Sequence, residues 1–446
     1  MALMVSVSGI RGIFGEDLTP QNLVNYAAAY GTWQKGGTIV VGRDSRVTGQ
    51  ICEDLVCSTL QSTGCDVVKV GIVPTPTVAM EVLRHDANGA IIITASHNPA
   101  QWNALKMLNS KGEFLDAEEG AEVLAIAERG HFAWQPYDRI GMMREVDDAV
   151  EDHIEKILAL PYIDAEAIAA RGFNISVDAV NGAGSIALPQ LLERLGANVH
   201  RIHCKPNGKF PHNPEPLPEH LGDIIKAMEI CGCDLGFVTD PDADRLAIVD
   251  ENRNVFGEEY TQVAAFDFMM RHKPGDTATN LSSSRAADVI TKRAGYICHR
   301  SAVGEINVVK KMESMGAVIG GEGNGGVINP DLHAGRDALV GAAMFLQLLT
   351  ELDMTVSEYR ATLPHFEMSK QKVELREMTV NADELLEQVT ERFKDEKITT
   401  IDGVKIDFEE GWVHLRKSNT EPIVRVYSEA ATKAEAEALA KRVVEL

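Results

Sequence analysis

A serine that follows an apolar run is the first candidate for chemistry. Thr94–Pro99 reads Thr-Ala-Ser-His-Asn-Pro and comes directly after the uncharged run Ala90–Ile93. The run predicts a buried strand, and the Asn-Pro pair predicts a turn where that strand ends. Open α/β sheets place their reactive groups at such strand ends, so Ser96 is a candidate reactive hydroxyl. The alternative is an ordinary polar turn.

The residues around Ser96 argue against a hydrolase nucleophile of the usual kind, because the Gly-x-Ser-x-Gly pattern is missing. His97 follows Ser96 directly, and adjacent side chains on extended backbone point to opposite sides. We therefore expect His97 to be a poor general base for Ser96. Its alternative role is to anchor the turn through a ring hydrogen bond.

Three carboxylates at alternate positions form the second candidate site. Asp240, Asp242 and Asp244 lie between two strand-like runs, and alternation lets all three point to one side of an extended loop. Such a cluster suits a hard divalent cation, and without a cation the carboxylates would raise one another's pKa. An EF-hand loop is excluded, because Arg245 stands where the turn glycine is required and strands flank the loop. A solvated acidic turn is the remaining alternative.

A turn rich in cations and hydroxyl groups near the C-terminus is the third candidate. Arg416–Pro422 reads Arg-Lys-Ser-Asn-Thr-Glu-Pro between two strand-like runs, and Arg425 follows it. Cations, hydroxyl groups and backbone amides in a turn hold phosphate groups well, and arginine favours bidentate phosphate recognition. A plain polar hairpin loop is the alternative.

Together these segments resemble the α-D-phosphohexomutase superfamily, which includes phosphoglucosamine, phosphomannose and phosphoglucose mutases. The family's active-serine, metal-binding and phosphate-binding loops are matched, in family order, by Thr94–Pro99, Asp240–Arg245 and Arg416–Pro422. Further segments are similar to family sequences: Ser8–Gly12, Val41–Asp44 and Asn103–Lys106. The resemblance covers nearly the whole chain and is closest to phosphoglucosamine mutase-like members.

The resemblance implies an isomerase that interconverts hexose 6-phosphate and hexose 1-phosphate through a phosphoserine and a bisphosphate intermediate. It implies Mg²⁺ as the cofactor, a hexose phosphate substrate and a hexose bisphosphate activator, in a monomer or homodimer. The catalytic residues it implies are Ser96, Arg11, His97, Lys106 and Arg245. The metal ligands it implies are Ser96, Asp240, Asp242 and Asp244. The substrate-binding residues it implies are Arg43, Glu322, Asn324, Arg336, Arg416, Ser418, Asn419, Thr420 and Arg425.

One segment departs from the family pattern Gly-Glu-x-Ser-Gly-His of the sugar-specificity loop. Residues 321–326 read Gly-Glu-Gly-Asn-Gly-Gly, so Asn324 replaces the serine and Gly326 replaces the histidine. No role is carried over for that histidine. This loop is similar to archaeal-type glucosamine members, whereas Thr94 matches the mannose and glucose members better. Glucosamine 6-phosphate is the favoured substrate, and phosphomannomutase or phosphoglucomutase activity is the alternative.

Two other classes of function stay open as alternatives. A Mg²⁺-dependent sugar phosphatase of the haloacid dehalogenase type also uses an Asp-x-Asp motif. Its nucleophile follows an early strand, whereas this triplet lies in the middle of the chain. A phosphorylated-sugar sensor without turnover would need no metal-binding triplet.

The composition indicates a multidomain protein that does not bind nucleic acid or anionic membrane. The 446 residues correspond to about three domains at roughly 150 residues each. A net charge of −23 and a pI of about 5.0 disfavour both of those partners, although a locally basic cleft can still bind phosphate. The seven scattered cysteines predict reduced thiols in a cytoplasmic protein, and Cys231-Gly232-Cys233 has no partner pair for zinc. No apolar run approaches membrane-spanning length.

The elements that must position these residues repeat along the chain. Units of strand, loop, helix, glycine and strand begin at Thr38, Asn174 and Thr277. Such βαβ units predict mainly parallel sheets covered by helices, and the last segment changes to an α+β pattern. We therefore expect three tandem related mixed-sheet α/β domains and a C-terminal α+β domain around a central cleft. They carry the serine, metal, sugar-specificity and phosphate loops in that order, at 1–152, 153–252, 253–368 and 369–446.

Overall fold

The computed structural model describes residues 3–6, 9–374, 381–417 and 423–445. The chain divides into two compact units, Met1–Phe268 with Asn324–Arg360 and Met269–Gly323 with Ala361–Leu446. In fold class it has three α/β domains with mixed sheets and a C-terminal domain with an antiparallel sheet, as the sequence predicts.

The N-terminal α/β domain alternates strands and helices. Its strands are β1 (Met4–Ser6), β2 (Gly9–Ile13), β3 (Gly37–Arg43), β4 (Cys65–Ile72), β5 (Gly89–Ile93), β6 (Trp102–Leu108) and β7 (Met143–Glu145). Its helices are α1 (Pro20–Gln34), α2 (Gly49–Ser62), α3 (Thr75–Arg84), α4 (Ala117–Arg129) and α5 (Ala149–Leu158). The sheet order is β1-β2-β6-β5-β3-β4-β7, and β6 is antiparallel to both of its neighbours.

Strand β5 is the apolar run that precedes Ser96, and each of its residues is buried. Ile91 belongs to the core that includes Leu23 of α1 and Leu60 of α2. Ile92 belongs to a second core with Val78 of α3. Successive side chains of a strand point to opposite faces, so helices cover both faces of β5. This double burial fixes the point at which Ser96 leaves the sheet.

The second α/β domain carries the three aspartates between two strands. Its elements are α6 (Ala165–Arg171), β8 (Asn174–Asp178), α7 (Gly184–Arg194), β9 (Asn198–Ile202), α8 (Gly222–Cys231), β10 (Leu235–Thr239) and β11 (Leu246–Val249). The sheet order is β11-β10-β8-β9, with β10 parallel to β8 and antiparallel to β11. Asp240 to Asp244 therefore form the turn between two buried antiparallel strands.

The third α/β domain contributes to both compact units. Its elements are α9 (Glu258–His272), β12 (Thr277–Asn280), α10 (Ala286–Arg293), β13 (Cys298–Ser301), α11 (Glu305–Met315), β14 (Ile319–Glu322), β15 (Gly326–Ile328), α12 (Ala338–Leu352) and α13 (Val356–Thr362). In the second unit β12 pairs in parallel with β13 and β14. In the first unit the buried helix α12 packs against α6, α7 and β11. No single helix of the described residues is long and apolar enough to cross a membrane, and only the pair α12 and α13, bent by 85°, passes by length and composition.

The C-terminal domain packs two helices on an antiparallel sheet. Its elements are β16 (Glu367–Glu374), α14 (Ala382–Arg392), β17 (Lys397–Thr399), β18 (Val404–Asp407), β19 (Trp412–Lys417), β20 (Ile423–Ala430) and α15 (Lys433–Val444). The sheet order is β16-β20-β19-β18-β17. Leu385 of α14 and Val443 of α15 enter one core with Val413 and Val424 of the sheet. Residues 418–422, which carry part of the predicted phosphate loop, lie outside the described residues.

The cysteines differ from the expectation of reduced thiols at one pair. Cys231 and Cys233 form a disulfide, with their Cα atoms 5.3 Å apart. Cys231 is the last residue of α8, and Gly232 caps the helix in the left-handed conformation, with a φ of 64°. A cap of this kind reverses the chain, so Cys233 turns back toward the helix end. The prediction was wrong for this pair because the spacing alone does not reveal the cap. The other cysteines, Cys52, Cys57, Cys65, Cys204 and Cys298, are free thiols.

Candidate active site

Ser96 is held on a left-handed turn and not on extended backbone. Its φ is 49°, which is uncommon for a residue other than glycine and typical of strained functional turns. The Ser96 amide donates a hydrogen bond to Thr94 Oγ1 at 2.9 Å. The Ser96 hydroxyl, which is buried, donates to Asp240 Oδ2 at 2.7 Å. The serine of the first candidate segment therefore meets the acidic cluster of the second.

Arg46 organises this serine loop, and the sequence analysis missed it. Its fully buried guanidinium donates to Asp44 at 3.0 Å. It also donates, at 2.6 to 2.9 Å, to the carbonyl oxygens of Ser96, Asn98, Pro99 and Trp102. Burial raises the pKa of Asp44, whose Oδ2 also accepts from Thr94 Oγ1 at 2.7 Å. Arg46 thus pairs carbonyl groups that a sharp turn leaves without partners.

Arg43, a predicted substrate-binding residue, lies next to Asp44, but its guanidinium points away from the serine loop. Its guanidinium contacts Glu53 at 3.2 Å and Gln50 at 3.0 Å. The substrate-binding role of Arg43 stays a prediction. Nothing local in the sequence separates Arg43 from Arg46, since both flank Asp44 and only the tertiary contacts differ.

The three aspartates converge as predicted, although through a turn and not an extended loop. Ala243 has a φ of 51°, and its amide donates to the Asp240 carbonyl at 3.1 Å. One carboxylate oxygen of each aspartate lies within 4.8 Å of those of the other two, and Asp240, Asp242 and Asp244 are buried. Burial and the charges of Asp242 and Asp244 raise the pKa of Asp240 well above its ordinary value. Three ionised carboxylates are therefore mutually unfavourable in this buried turn.

The cluster has the donor set for a hard divalent cation. Oδ1 of Asp242 and Oδ1 of Asp244 are buried and accept no hydrogen bond from any residue that the structure describes. Asp242 Oδ2 accepts from Lys106 Nζ at 2.7 Å and from Thr75 Oγ1 at 2.8 Å, and Asp244 Oδ2 accepts from Arg336 at 2.6 Å. Burial acts to raise the pKa of Asp242, but the charge of Lys106 and hydrogen bonds with Asp240, Lys106 and Thr75 together outweigh it and leave the pKa below the usual range. Buried oxygens without partners are costly, and oxygen ligands suit Mg²⁺.

His97 lies closer to the serine hydroxyl than the sequence predicts. Its Nδ1 is 3.3 Å from Ser96 Oγ, because the left-handed φ of Ser96 turns both side chains to the same side. The expectation of diverging side chains assumed extended backbone and was wrong. Burial lowers the pKa of His97 to about 2, and the guanidinium groups of Arg245 and Arg11 act in the same direction. The imidazole is therefore neutral at neutral pH.

The two predicted catalytic arginines surround the serine loop. Arg11 donates to Asn98 Oδ1 at 2.8 Å, and burial lowers its pKa. Arg245 lies 3.5 Å from Glu215, which is also 3.8 Å from His97 Nε2. Glu215 was not predicted, since nothing in its sequence surroundings marks it. Both guanidinium groups act electrostatically on His97, so two positive charges lie beside the serine loop.

The departure from the family pattern at Gly326 has a steric explanation. A Cβ atom at this position would meet Cδ of Arg336 at 2.3 Å. Arg336 therefore occupies the room that a histidine side chain would need. Asn324 makes a local turn contact, with its Oδ1 accepting from the Gly326 amide at 3.2 Å. In the second unit, Glu322 Oε1 accepts from Asn280 Nδ2 at 2.8 Å.

In the second unit, a row of cations crosses the antiparallel sheet. Arg416 on β19 pairs with Arg425 on β20, and Arg425 pairs with Lys372 on β16. Like charges directly opposite one another destabilise a sheet, so an anion on this row would relieve the repulsion. Arg416 also contacts Asp402 at 2.8 Å. Lys372 was not predicted, because the sequence does not show which strand lies beside β20. Ser418, Asn419 and Thr420 lie outside the described residues.

Known protein families match the chain along nearly all of its length. Models described as phosphoglucomutase/phosphomannomutase α/β/α domains I, II and III match residues 3–134, 151–254 and 257–366. The model of the C-terminal domain matches residues 372–446. The chain belongs to the phosphoglucomutase/phosphomannomutase family.

Individual members of this family agree with that assignment. The phosphoglucomutase/phosphomannomutase of Thermococcus kodakarensis is 36% identical, over 98% of this chain and 96% of its own. The Methanopyrus kandleri protein named "Probable phosphoglucosamine mutase" is 33% identical, over 100% of this chain and 98% of its own. The crystal structure of a phosphoglucomutase/phosphomannomutase family protein from Burkholderia thailandensis has the same fold, with a TM-score of 0.85 at 23% identity over 99% of this chain and 98% of that one. This family member is an isomerase of the phosphohexomutase class.

Proposed function

We propose that this phosphohexomutase moves a phosphoryl group between the 6- and 1-positions of a hexose, through a phosphoserine at Ser96 and a hexose bisphosphate. The observation that carries the proposal is the 2.7 Å hydrogen bond from Ser96 Oγ to Asp240 Oδ2. It places the Ser96 hydroxyl against three buried carboxylates that suit a divalent cation. A phosphatase that uses an aspartate as its nucleophile would not require this serine.

We propose that Asp240, Asp242 and Asp244 hold Mg²⁺ together with an oxygen of the phosphorylated Ser96. When bound, the ion offsets negative charge on the phosphoryl oxygens. Lys106, paired with Asp242 at 2.7 Å, keeps that aspartate ionised and ready as a ligand. Thr75 fixes the orientation of the same carboxylate.

The transfer itself requires positioned cations and one proton relay. The bond from phosphorus to Ser96 Oγ breaks as a bond from phosphorus to the sugar hydroxyl oxygen forms, so the sugar hydroxyl gives up one proton and Ser96 Oγ takes up one. Arg11 and Arg245 steady the phosphoryl oxygens during this exchange. Lys106, Arg11 and His97 are the candidates for acid–base help. His97 has a ring nitrogen 3.3 Å from Ser96 Oγ, but a pKa of about 2 makes it a weak base, which favours its alternative role of anchoring the turn through this ring hydrogen bond. The bisphosphate then turns and returns its other phosphate to Ser96.

For the sugar we propose glucosamine 6-phosphate. The first support is the 321–326 loop, in which Gly326 replaces the histidine of the family pattern and Arg336 occupies the room of that side chain. The second support is the 33% identical relative named "Probable phosphoglucosamine mutase". The 36% identical relative named phosphoglucomutase/phosphomannomutase supports the alternative of mannose and glucose phosphates. The cation row of Lys372, Arg425 and Arg416 would bind the phosphate that is not being transferred.

Steady-state kinetics with three sugars test this proposal. The purified enzyme, with Mg²⁺ and a hexose bisphosphate activator, is compared on the 6-phosphates of glucosamine, mannose and glucose. We expect the highest kcat/KM for glucosamine 6-phosphate and no accumulation of inorganic phosphate. A higher kcat/KM for mannose 6-phosphate or glucose 6-phosphate would establish that sugar phosphate as the substrate instead. Release of inorganic phosphate without isomerisation would indicate a phosphatase, and binding without turnover would indicate a sensor.

A further inference from the structure

Cys231, Cys233 and His200 form a cluster of soft ligand groups apart from the candidate active site. One ligand atom from each of the three lies within 4.8 Å of the other two. Cys231 ends α8, Cys233 follows the glycine cap, and His200 lies on β9. Cys233 is buried, whereas Cys231 and His200 are half-buried, so solvent reaches the cluster. In the sequence the two cysteines have no further ligand residue near them. In the fold, His200 lies beside them as a third possible ligand.

The packing of α8 on the sheet explains this meeting. Strand β9 is the edge strand of its sheet, and α8 packs against it. Residues two apart on a strand share a face, so His200 shares one with Ile202. Ile202 packs against the same apolar cluster that contains Met228 and Cys233. His200 therefore faces the end of α8, where the two sulfur atoms lie.

We propose that, when the disulfide is reduced, Cys231, Cys233 and His200 bind a thiophilic cation of the Zn²⁺ class. An external dithiol reduces the disulfide by thiol–disulfide exchange and is itself oxidised to a disulfide, leaving two cysteine thiols. Metal binding displaces a proton from each thiol, and the neutral imidazole supplies a third ligand. Zn²⁺ binds thiolates at ~2.3 Å and imidazole at ~2.0 Å, so ligand atoms of one ion lie at most ~4.6 Å apart. The separations in the cluster, within 4.8 Å, are close to that limit, and reduction frees the two bonded sulfur atoms to move apart into separate ligand positions.

Three protein ligands leave one tetrahedral position for water, which suits an exchangeable ion better than a closed structural one. The site is separate from the aspartates, since the five-residue strand β10 lies between Cys233 and Asp240 and spans ~17 Å at about 3.3 Å per residue. Thiolates select softer cations than carboxylates do, so Mg²⁺ at the aspartates and Zn²⁺ at this cluster do not compete.

Cobalt spectroscopy on the full-length protein tests this site. The protein is reduced, freed of metals with a chelator and kept with excess Mg²⁺, and Co²⁺ is added as the probe. We expect a near-ultraviolet charge-transfer band from thiolate to Co²⁺, with visible bands of tetrahedral Co²⁺, and loss of both on adding Zn²⁺. The unreduced protein serves as the matched control, and its intact disulfide prevents the sulfur band.

Variants distinguish this site from other groups of side chains that could bind Co²⁺. Cys231→Ser should abolish the sulfur band, and His200→Ala should weaken Co²⁺ binding at least about tenfold, while Cys204→Ser, at a free half-buried cysteine, should change neither. Co²⁺ held by Asp178, His203 and His212, a second cluster of possible ligands, would give no sulfur band. Unchanged mutase activity in each variant verifies the fold. The proposal is overturned if reduced wild-type protein shows no sulfur band, or if His200→Ala binds Co²⁺ as tightly as wild type.

Discussion

The hydroxyl of Ser96 lies 2.7 Å from Oδ2 of Asp240, although 144 positions separate them in the chain. Each residue follows a fully buried strand, β5 for Ser96 and β10 for Asp240. Two segments that the sequence marked separately for chemistry therefore make one site. The proposed chemistry of this enzyme depends on the contact between these two residues.

The aspartate cluster should need a divalent cation for activity. Removing metal with a chelator should abolish turnover, and Mg²⁺ should restore it. Asp242→Asn should weaken Mg²⁺ activation at least about tenfold, which corresponds to about 1.4 kcal/mol, because an amide lacks the charge of the carboxylate. Titration of activity with Mg²⁺ measures the change, and Asp147→Asn on an exposed loop is the control. Full activity of metal-free protein would refute the cation site.

Arg46 should matter for catalysis through the shape of the serine loop. Arg46→Lys keeps the charge near Asp44 but cannot pair all the carbonyl groups that the guanidinium reaches. We expect kcat to fall at least about tenfold and the free energy of unfolding to fall by about 1–3 kcal/mol. Arg43→Lys is the comparison for kcat, which it should leave nearly unchanged, because Arg43 contacts Glu53 and Gln50 and not the loop carbonyls; a substrate-binding role of Arg43 would change KM instead. An unchanged kcat in Arg46→Lys would show that the loop does not depend on Arg46.

Arg416 should bind the phosphate that is not transferred. Arg416→Ala should raise KM by about tenfold to a hundredfold, because a hydrogen bond to a charged group contributes roughly 1.5–3 kcal/mol. Steady-state kinetics at saturating activator give the value. Lys417→Ala, at an exposed neighbour that pairs with Asp383, should leave KM nearly unchanged. Equal KM values for Arg416→Ala and wild type would mean that the phosphate is held elsewhere.

Lys405 should make stability depend on alkaline pH. Burial lowers its pKa to about 7, and Arg300 acts in the same direction, whereas the unfolded chain keeps the ordinary value of 10.5. Between these values the unfolded state binds the extra proton, so stability rises as pH rises, by up to about 1.4 kcal/mol per unit. Below pH 7 Lys405 is charged in both the folded and the unfolded state, so the folded state carries the full free-energy cost of burying that charge. Lys405→Met should therefore be more stable than wild type at pH 7, with the difference shrinking by ~2–3 kcal/mol by pH 9.

Denaturant unfolding at several pH values checks this effect. Lys397→Met is the control, because exposed Lys397 lies near the same partner, Asp407, at 3.9 Å, without being buried. Parallel stability curves for wild type and Lys405→Met would show that Lys405 keeps its ordinary pKa.

The sequence predicted what depends on local pattern and missed what depends on distant contacts. The apolar run before Ser96, the repeated βαβ units and the α+β segment are short-range signals, and the structure contains them. Arg46, Lys372 and His200 escaped because their partners come from other strands or helices. The disulfide escaped because the left-handed cap at Gly232 is a property of the folded helix end. The domain boundaries and the roles of the site residues stay predictions.

The phosphoryl carrier can be identified by one direct measurement, intact-protein mass spectrometry of enzyme incubated with a hexose bisphosphate. Wild-type protein should show a fraction heavier by one phosphoryl group, and peptide analysis should locate it on Ser96. Ser96→Ala should show no such fraction and no mutase turnover, while its melting temperature stays close to that of wild type. A phosphoryl group on another residue, or near-normal turnover by Ser96→Ala, would contradict the account.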